Sequence, residues 1–332
     1  MQNVSIIGIG RIPVGEHWDS SLRELAAAAA QEALQDAGVQ NVDAIYIANA
    51  YGTSASSQSH LGSLIADFIG LRGVETFTIE AADASGGAAL RAGYLAVASG
   101  MAQRVLVLGV EKLTDAIASA RVQARNVSLD ADHEAIHGAT LPALAALLMR
   151  RYMYEYQVDL NAFEGFSLNA HANGKLNQYA MYRNTLRPGA FAKAPMVADP
   201  VNLFDMAPDA DGAAAVILAP SEQAADMVPN PVHIIGSAVS TDTFMLQDRE
   251  DLLYLQAAHD SALKAYRQAG ITASDIDVFE VHDAFTILST LSLEATGFAE
   301  KGQGWTLASE QGQPISLNGT IPISTFGGLK SR

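Results

Sequence analysis

The stretch Ile79-Glu80-Ala81-Ala82-Asp83-Ala84-Ser85-Gly86-Gly87-Ala88-Ala89-Leu90 decides the reading of this chain. The apolar run Thr76 to Ile79 leads into it and a small-residue helical pattern, Gly86 to Ser99, leads out, so Asp83 stands where a strand meets a helix. A helix starting near Ser85 or Gly86 aims unpaired N–H groups and the positive end of its dipole at the preceding residue, which stabilises an anion there. Small residues on both sides permit close approach of a ligand. A carboxylate at such a junction can act as a general base, hold a proton, or simply cap the helix.

Outward from this junction, short Val/Ile-rich runs alternate with Ala-rich helical patterns, the signature of strands buried between helices. Strands are predicted over Val4 to Ile9, Ala44 to Ala48, Thr76 to Ile79 and Val105 to Val110. Helices are predicted over Ser21 to Ala37 and Leu61 to Ile69, the first opened by an Asp19/Ser20/Ser21 cap and closed by Gly38.

The pattern then recurs. Val4-Ser5-Ile6-Ile7-Gly8 matches Val232-His233-Ile234-Ile235-Gly236. Ala37-Gly38-Val39 with Val42-Asp43 and Ile45-Tyr46-Ile47 matches Ala269-Gly270-Ile271 with Ile276-Asp277 and Phe279-Glu280-Val281. An α/β fold of two related βα halves follows. The expected organisation is an N-terminal half over residues 1–111 and 200–220, an inserted loop region over 112–199 and a C-terminal half over 221–332. The inserted region reads as irregular, apart from a helix pattern from Leu141 to Tyr154, with polar stretches around His171 to Arg187. Its length fits a substrate-covering insertion or a surface decoration. Pairing the halves sets Gly86-Gly87 opposite Gly327-Gly328; the first half continues with a helix and a strand, and their counterparts are expected beyond Arg332.

At 332 residues and 49% hydrophobic, the chain can bury the core of one large or two ordinary domains. A formal charge of −16 argues against electrostatic binding to nucleic acid or an anionic membrane, both of which need basic patches. Cysteine is absent, which removes disulfides, thiolate metal sites and thiol nucleophiles together. No basic segment precedes the first short apolar run and no run is long enough to span a bilayer, so a cytoplasmic location is expected.

Three further motifs bear on chemistry. Glu280-Val281-His282-Asp283-Ala284-Phe285-Thr286 follows the apolar alternation of the second-half strand. A histidine there can donate to an oxyanion or exchange a proton near neutrality, unless it is a core imidazole bonded to backbone. Pro322-Ile323-Ser324-Thr325-Phe326-Gly327-Gly328-Leu329-Lys330-Ser331-Arg332 carries a Gly-Gly pair that by itself marks only a turn. His133-Glu134-Ala135-Ile136-His137 fits H-E-x-x-H, but zinc chemistry needs that motif inside a helix with a third ligand such as Glu155 or Glu164. Asp130 and Asp132 precede it, Gly138 follows, and no apolar period runs through it, so a loop or substrate-pocket role without metal is expected. Gly8-Ile9-Gly10 is no dinucleotide fingerprint, because Pro13 replaces the third glycine and no helix pattern opens there.

The Asp83 stretch, the His282 motif and the Gly327-Gly328 segment resemble those of thiolases, particularly the sterol-carrier-protein-type and archaeal branch. His137-Gly138-Ala139-Thr140, Asn177 with Tyr179-Ala180, and Pro200 with Asp211-Gly212-Ala213-Ala214 extend the resemblance over essentially the whole chain. It implies a thiolase-like fold, two related βα halves in an αβαβα layered sandwich. It also implies a nucleophilic cysteine at the position of Asp83, a histidine at His282 that helps bind the thioester oxygen, cysteine or alanine at Ala284, where a cysteine moves protons and Ala284 cannot, and asparagine at Ser324. A catalytic Gly-His-Pro histidine would lie beyond Arg332. The candidates so marked are Asp83 and His282 as catalytic groups, and His137, Asp283, Ser324, Gly327 and Gly328 as substrate-binding groups. The implied ligand is a coenzyme A thioester used as substrate, with no bound cofactor. The implied partners are a second copy of the chain and a small OB-fold/zinc-ribbon protein.

Three functions fit this pattern. The first is C–C bond cleavage of an acyl-CoA without an acyl-enzyme, for example a retro-aldol step with Asp83 as base or polar anchor. The second is an acetyl-CoA C-acyltransferase whose nucleophile has been lost. The third is a non-catalytic thiolase-like subunit of a complex.

Overall fold

The computed structural model describes residues 2–309 and 314–331; Arg332, the last residue of the Gly327-Gly328 segment, lies outside them. In chain order the first elements are β1 (Val4–Arg11), α1 (Leu22–Asp36), β2 (Ala44–Ala48), α2 (Gly52–Ala55), α3 (Leu61–Phe68) and β3 (Glu75–Ile79). Next come α4 (Ser85–Ala98), β4 (Val105–Glu111), α5 (Ala118–Asn126), α6 (Leu141–Tyr156), α7 (Glu164–Gly174), β5 (Met196–Ala198) and β6 (Val201–Asn202). The chain closes with β7 (Gly212–Pro220), α8 (Ser221–Met227), β8 (Val232–Ile234), α9 (Gln256–Ala269), α10 (Thr286–Ala295), α11 (Thr306–Ser309) and α12 (Gly328–Ser331). None of the described helices is long and apolar enough to cross a membrane. The residues form two compact units, 1–128 with 209–239 and 129–208 with 240–332.

The first unit is a mixed sheet in the order β3-β2-β4-β7-β1-β8. β2 pairs in parallel with β3 and β4, while β7 runs antiparallel to β4 and β1, and β8 antiparallel to β1. Alternation along β2 divides its side chains between two cores. Ile45 and Ile47 pack with Leu25, Ala29 and Ala33 of α1 and Ile65 of α3, whereas Tyr46 and Ala48 pack with Ala89, Tyr94 and Val97 of α4. Each fully buried Leu, Ile or Val here stabilises the fold by about 1.5–3 kcal/mol. Helix α1 starts as the sequence leads one to expect, with Ser21 and Glu24 closing a reciprocal capping box.

The Gly8 and Gly10 pair has a packing purpose. A Cβ on Gly10 would overlap the Ala29 carbonyl oxygen, and one on Gly8 would lie 2.6 Å from the Ala33 carbonyl oxygen, so these glycines let α1 press onto β1. Replacing Gly10 with alanine is expected to overpack this contact and to lower the urea midpoint by an amount equivalent to about 1–3 kcal/mol.

A buried ion pair ties the far end of the same unit. Asp211, 1% exposed, accepts bonds from the amides of Leu113 (2.8 Å), Thr114 (2.9 Å) and His17 (3.0 Å) and from the Thr114 hydroxyl (2.6 Å). The Lys112 ammonium lies 3.2 Å from it and also donates to the His17 carbonyl at 2.8 Å. Burial alone would raise the Asp211 carboxyl, but these donors outweigh it and hold the group below the usual carboxylate range.

In the second unit the core is built from Met149 and Tyr152 of α6, Phe163, Phe191, and Ile287 and Leu291 of α10. Much of the stretch read from sequence as irregular is therefore helical core. The apolar period fails there for a physical reason: α7 buries His171 together with Asn169 and Asn173, and the two asparagines serve hydrogen bonds. The repeat is visible in helix endings, since Gly38 (φ 64°) follows α1 and Gly270 (φ 72°) caps α9. The strand expected over Phe279 to Val281 is reduced to one parallel bridge, Phe279 with Ile323. Ser324, at φ 48°, turns the chain away after that single pair, and the Glu280 carboxylate accepts the Thr325 amide at 2.8 Å.

Candidate functional site

Asp83 occupies a 3-10 turn, Ala82–Ala84, between β3 and α4. Ala82 has φ 46°, a left-handed conformation that costs an L-residue energy and sharpens the turn. The turn is fastened from within: the Ser85 hydroxyl donates to the Ala82 carbonyl at 2.6 Å and accepts from the Ala81 amide at 2.8 Å. Neither the 3-10 turn nor α4 has a side-chain cap, so Asp83 is not the helix cap that its position alone would suggest. Its carboxylate is exposed, and a Cβ on Gly86 or Gly87 would meet nothing within 4 Å, which leaves this face of the junction open.

The Asp83 carboxylate has a partner that sequence reasoning missed. The phenol of Tyr51 donates to Asp83 Oδ1 at 3.0 Å. Tyr51 is 6% exposed and is held by its backbone: its amide donates to Glu111 Oε1 at 3.1 Å, the Ala50 amide donates to the same oxygen, and the Gly52 amide donates to Asn49 Oδ1 at 2.7 Å. Asn49 is fixed in turn by a 2.8 Å bond to the Val110 carbonyl at the end of β4. Burial, then the Asp83 charge and the bond to it, push the phenol well above the usual tyrosine range, with the Ser128 hydroxyl opposing. Tyr51 is thus a neutral donor across the physiological range. A tyrosine following a strand gives no sequence signal for this role.

In the second unit, the structure gathers Asp283, Ser324 and Gly328. Asp283, 2% exposed, accepts the Ser324 hydroxyl at 3.0 Å and the Leu329 amide at 2.6 Å. A Cβ on Gly328 (φ 56°) would overlap the Asp283 carboxylate, and one on Gly327 (φ 106°) would lie 2.8 Å from Gly174 Cα. The Gly-Gly pair is therefore a fitted turn: it needs left-handed backbone and close approach at once. His282 is exposed on the adjoining loop.

Helix α7 holds this turn with a ladder of asparagines four residues apart. Asn169 donates to the Ile323 carbonyl at 3.1 Å, Asn173 to Ser324 at 3.1 Å, and Asn177, just past the helix, to Phe326 at 3.0 Å. The i, i+4 spacing puts Asn169 and Asn173 on one side of the helix. Only Asn177 was singled out in the sequence; Asn169 and Asn173 share its spacing and were legible by that signal.

His137 sits on an exposed 3-10 turn, Ala135–His137, that ends at left-handed Gly138. The H-E-x-x-H run is thus not on an α-helix. Its glutamate is engaged elsewhere, with Glu134 accepting the amides of Leu246 (3.1 Å) and Asp130 (3.0 Å) while His133 bonds Asp130 at 3.0 Å.

Comparisons with known proteins bear on this arrangement of turns. Residues 4–222 match the family model described as thiolase, N-terminal domain, and residues 238–332 match the thiolase C-terminal domain-like model. An acetyl-CoA acetyltransferase of Methanothermobacter thermautotrophicus is 40% identical over 334 residues, covering 100% of this chain and 86% of that protein. One of Methanocaldococcus jannaschii is 36% identical, covering 100% and 85%. Among solved structures, the Ltp2-ChsH2(DUF35) aldolase aligns with a TM-score of 0.84 at 23% identity, over 99% of this chain and 85% of that one. With both halves matched and the fold shared, the chain belongs to the thiolase superfamily, and carries an aspartate in the strand-to-helix turn of its first half.

Proposed function

We propose that this chain is a thiolase-like lyase that cleaves the Cα–Cβ bond of a β-hydroxyacyl-CoA by a retro-aldol step, with no acyl-enzyme. The observation that carries the reading is the Asp83 carboxylate, exposed at the strand-to-helix turn and bonded by the neutral Tyr51 phenol. The step balances without a further reagent. Asp83 takes the proton of the β-hydroxyl, the O–H pair becomes the carbonyl π bond, and the Cα–Cβ pair passes to Cα as a thioester enolate. The aldehyde or ketone departs, and the proton held by Asp83 returns to Cα. Asp83 thereby stands where the family resemblance implies cysteine, and His282 keeps the role that resemblance implies, donor to the thioester oxygen. Asp283, Ser324, Gly327, Gly328 and His137 are proposed to bind the thioester.

Tyr51 orients the base in this reading. Replacing it with phenylalanine is expected to lower kcat about ten- to a hundredfold and to leave KM within about twofold, as steady-state kinetics would show. The function itself is tested by incubating the protein with a series of 3-hydroxyacyl-CoA thioesters and trapping released carbonyls with dinitrophenylhydrazine. A homodimer and an OB-fold/zinc-ribbon partner belong to the proposal, the latter supported by a solved relative whose name pairs an aldolase with a DUF35 protein. Assays with and without such a partner are part of the test, and no carbonyl from any thioester in either would sink the reading.

A second reading, acyl transfer, is favoured by the 40% identity to an acetyl-CoA acetyltransferase. In it the nucleophile has been lost, so Asp83→Cys is expected to create thiolysis of acetoacetyl-CoA, and no activity in that variant would count against it.

A further inference from the structure

We propose that Lys330 is a positioning residue for His282: its ammonium joins the C-terminal Gly-Gly turn to the segment that seats the other end of the His282 loop. The inference rests on the functional reading of His282, and its geometry lies within one unit.

The loop from His282 to Thr286 is tied at each residue whose bonds fix its course. At Asp283 the ties are the Ser324 hydroxyl (3.0 Å) and the Leu329 amide (2.6 Å). The Ala284 carbonyl accepts the Ala207 amide at 2.8 Å. At Thr286 the amide donates to the Asp205 carbonyl at 3.1 Å and the hydroxyl to the Asp205 carboxylate. Lys330, 2% exposed, donates its ammonium to that same Asp205 carbonyl. One lysine therefore links the residue that seats the start of α10 to the turn whose next-door amide binds Asp283.

This placement is not the cheapest one for stability. Burial pulls the Lys330 ammonium down to about 8, against the attraction of the Asp283 and Asp205 carboxylates. Burial likewise raises the Asp205 carboxyl, despite its bonds from the Asn202 amide and the Thr286 hydroxyl. The His171 imidazole of α7 also faces Lys330, and burial, with that positive charge, pushes it below its usual range. A buried cation held against its desolvation cost contributes little to net stability, so specifying the loop's position is the role left to it.

The test is Lys330→Met, which keeps the length of the side chain and removes its charge and donor. Amide hydrogen exchange, read at Thr286, Ala207 and Leu329, is expected to speed up about tenfold more than at amides in the middle of α6, which report the change in global stability. The thermal midpoint is expected to fall, because the Asp205 and Asp283 carboxylates stay buried without their cation. In the lyase assay kcat falls about tenfold with KM unchanged. A purely structural lysine would instead speed exchange equally in the loop and in α6. Should Lys330→Met not fold, Lys330→Gln, which keeps a donor without the charge, carries the same comparison. Loss of folding in both variants, a uniform rise in exchange, or unchanged exchange at the three amides would overturn the proposal. Exchange is read without substrate, so a parent protein that shows no lyase activity refutes the functional reading and leaves this result to stand or fall separately.

Discussion

Asp83→Asn is expected to lower kcat for β-hydroxyacyl-CoA cleavage by about 10²–10⁴-fold, the usual cost of removing a general base. The amide has the same shape, can still accept from the Tyr51 phenol that now reaches Oδ1 at 3.0 Å, and cannot take a proton. KM is expected to change little, because an orienting partner and an open face remain. Since the carboxylate is exposed and caps neither the 3-10 turn nor α4, stability should move by no more than about 0.5 kcal/mol. Activity lost without stability separates a base from a scaffold residue. A variant as active as the parent would remove Asp83 from the chemistry.

The largest effect on stability is expected at Asp211. Asp211→Ala leaves the Lys112 ammonium, 6% exposed, without its buried counter-charge, and orphans the amides of Leu113, Thr114 and His17. Breaking a buried pair from one side costs about 3–5 kcal/mol, which equilibrium unfolding in urea would read as a lower midpoint at similar slope. The pH dependence has a definite sign. The folded carboxyl is held below its unfolded value, so its contribution is complete above the unfolded carboxylate range and is lost as pH falls through the folded value. The parent should therefore lose stability on acidification more steeply than Asp211→Ala.

The first half was legible because its elements are periodic and punctuated. The predicted strand at Ala44 to Ala48 appears with those bounds, α1 starts behind Ser21, and α4 begins at Ser85. Asp83 was visible as a junction residue, but Tyr51 was not: its tie to Asp83 spans 32 residues of sequence and depends on where Glu111 and Asn49 hold its backbone. The second unit resisted for another reason. Its helices bury polar side chains that serve hydrogen bonds, as at Asn169 and Asn173, and apolar periodicity does not register them. The segment at Phe279 shows the converse, an alternation that reads as strand yet finds one paired residue before Ser324 turns away. Taken by themselves Gly327 and Gly328 mark only a turn; contacts with Gly174 and Asp283 show why no side chain fits there.

The central claim is cleavage of a carbon–carbon bond with an aspartate where a thiol nucleophile would make an acyl-enzyme. Its most direct measurement is a single-turnover reaction of the protein with a 3-hydroxyacyl-CoA in the absence of free coenzyme A, following both products and the intact mass of the chain. The account predicts a carbonyl compound and a shortened acyl-CoA in equal amounts, with the protein mass unchanged throughout. Turnover only when free coenzyme A is added, or an acylated chain, would contradict it.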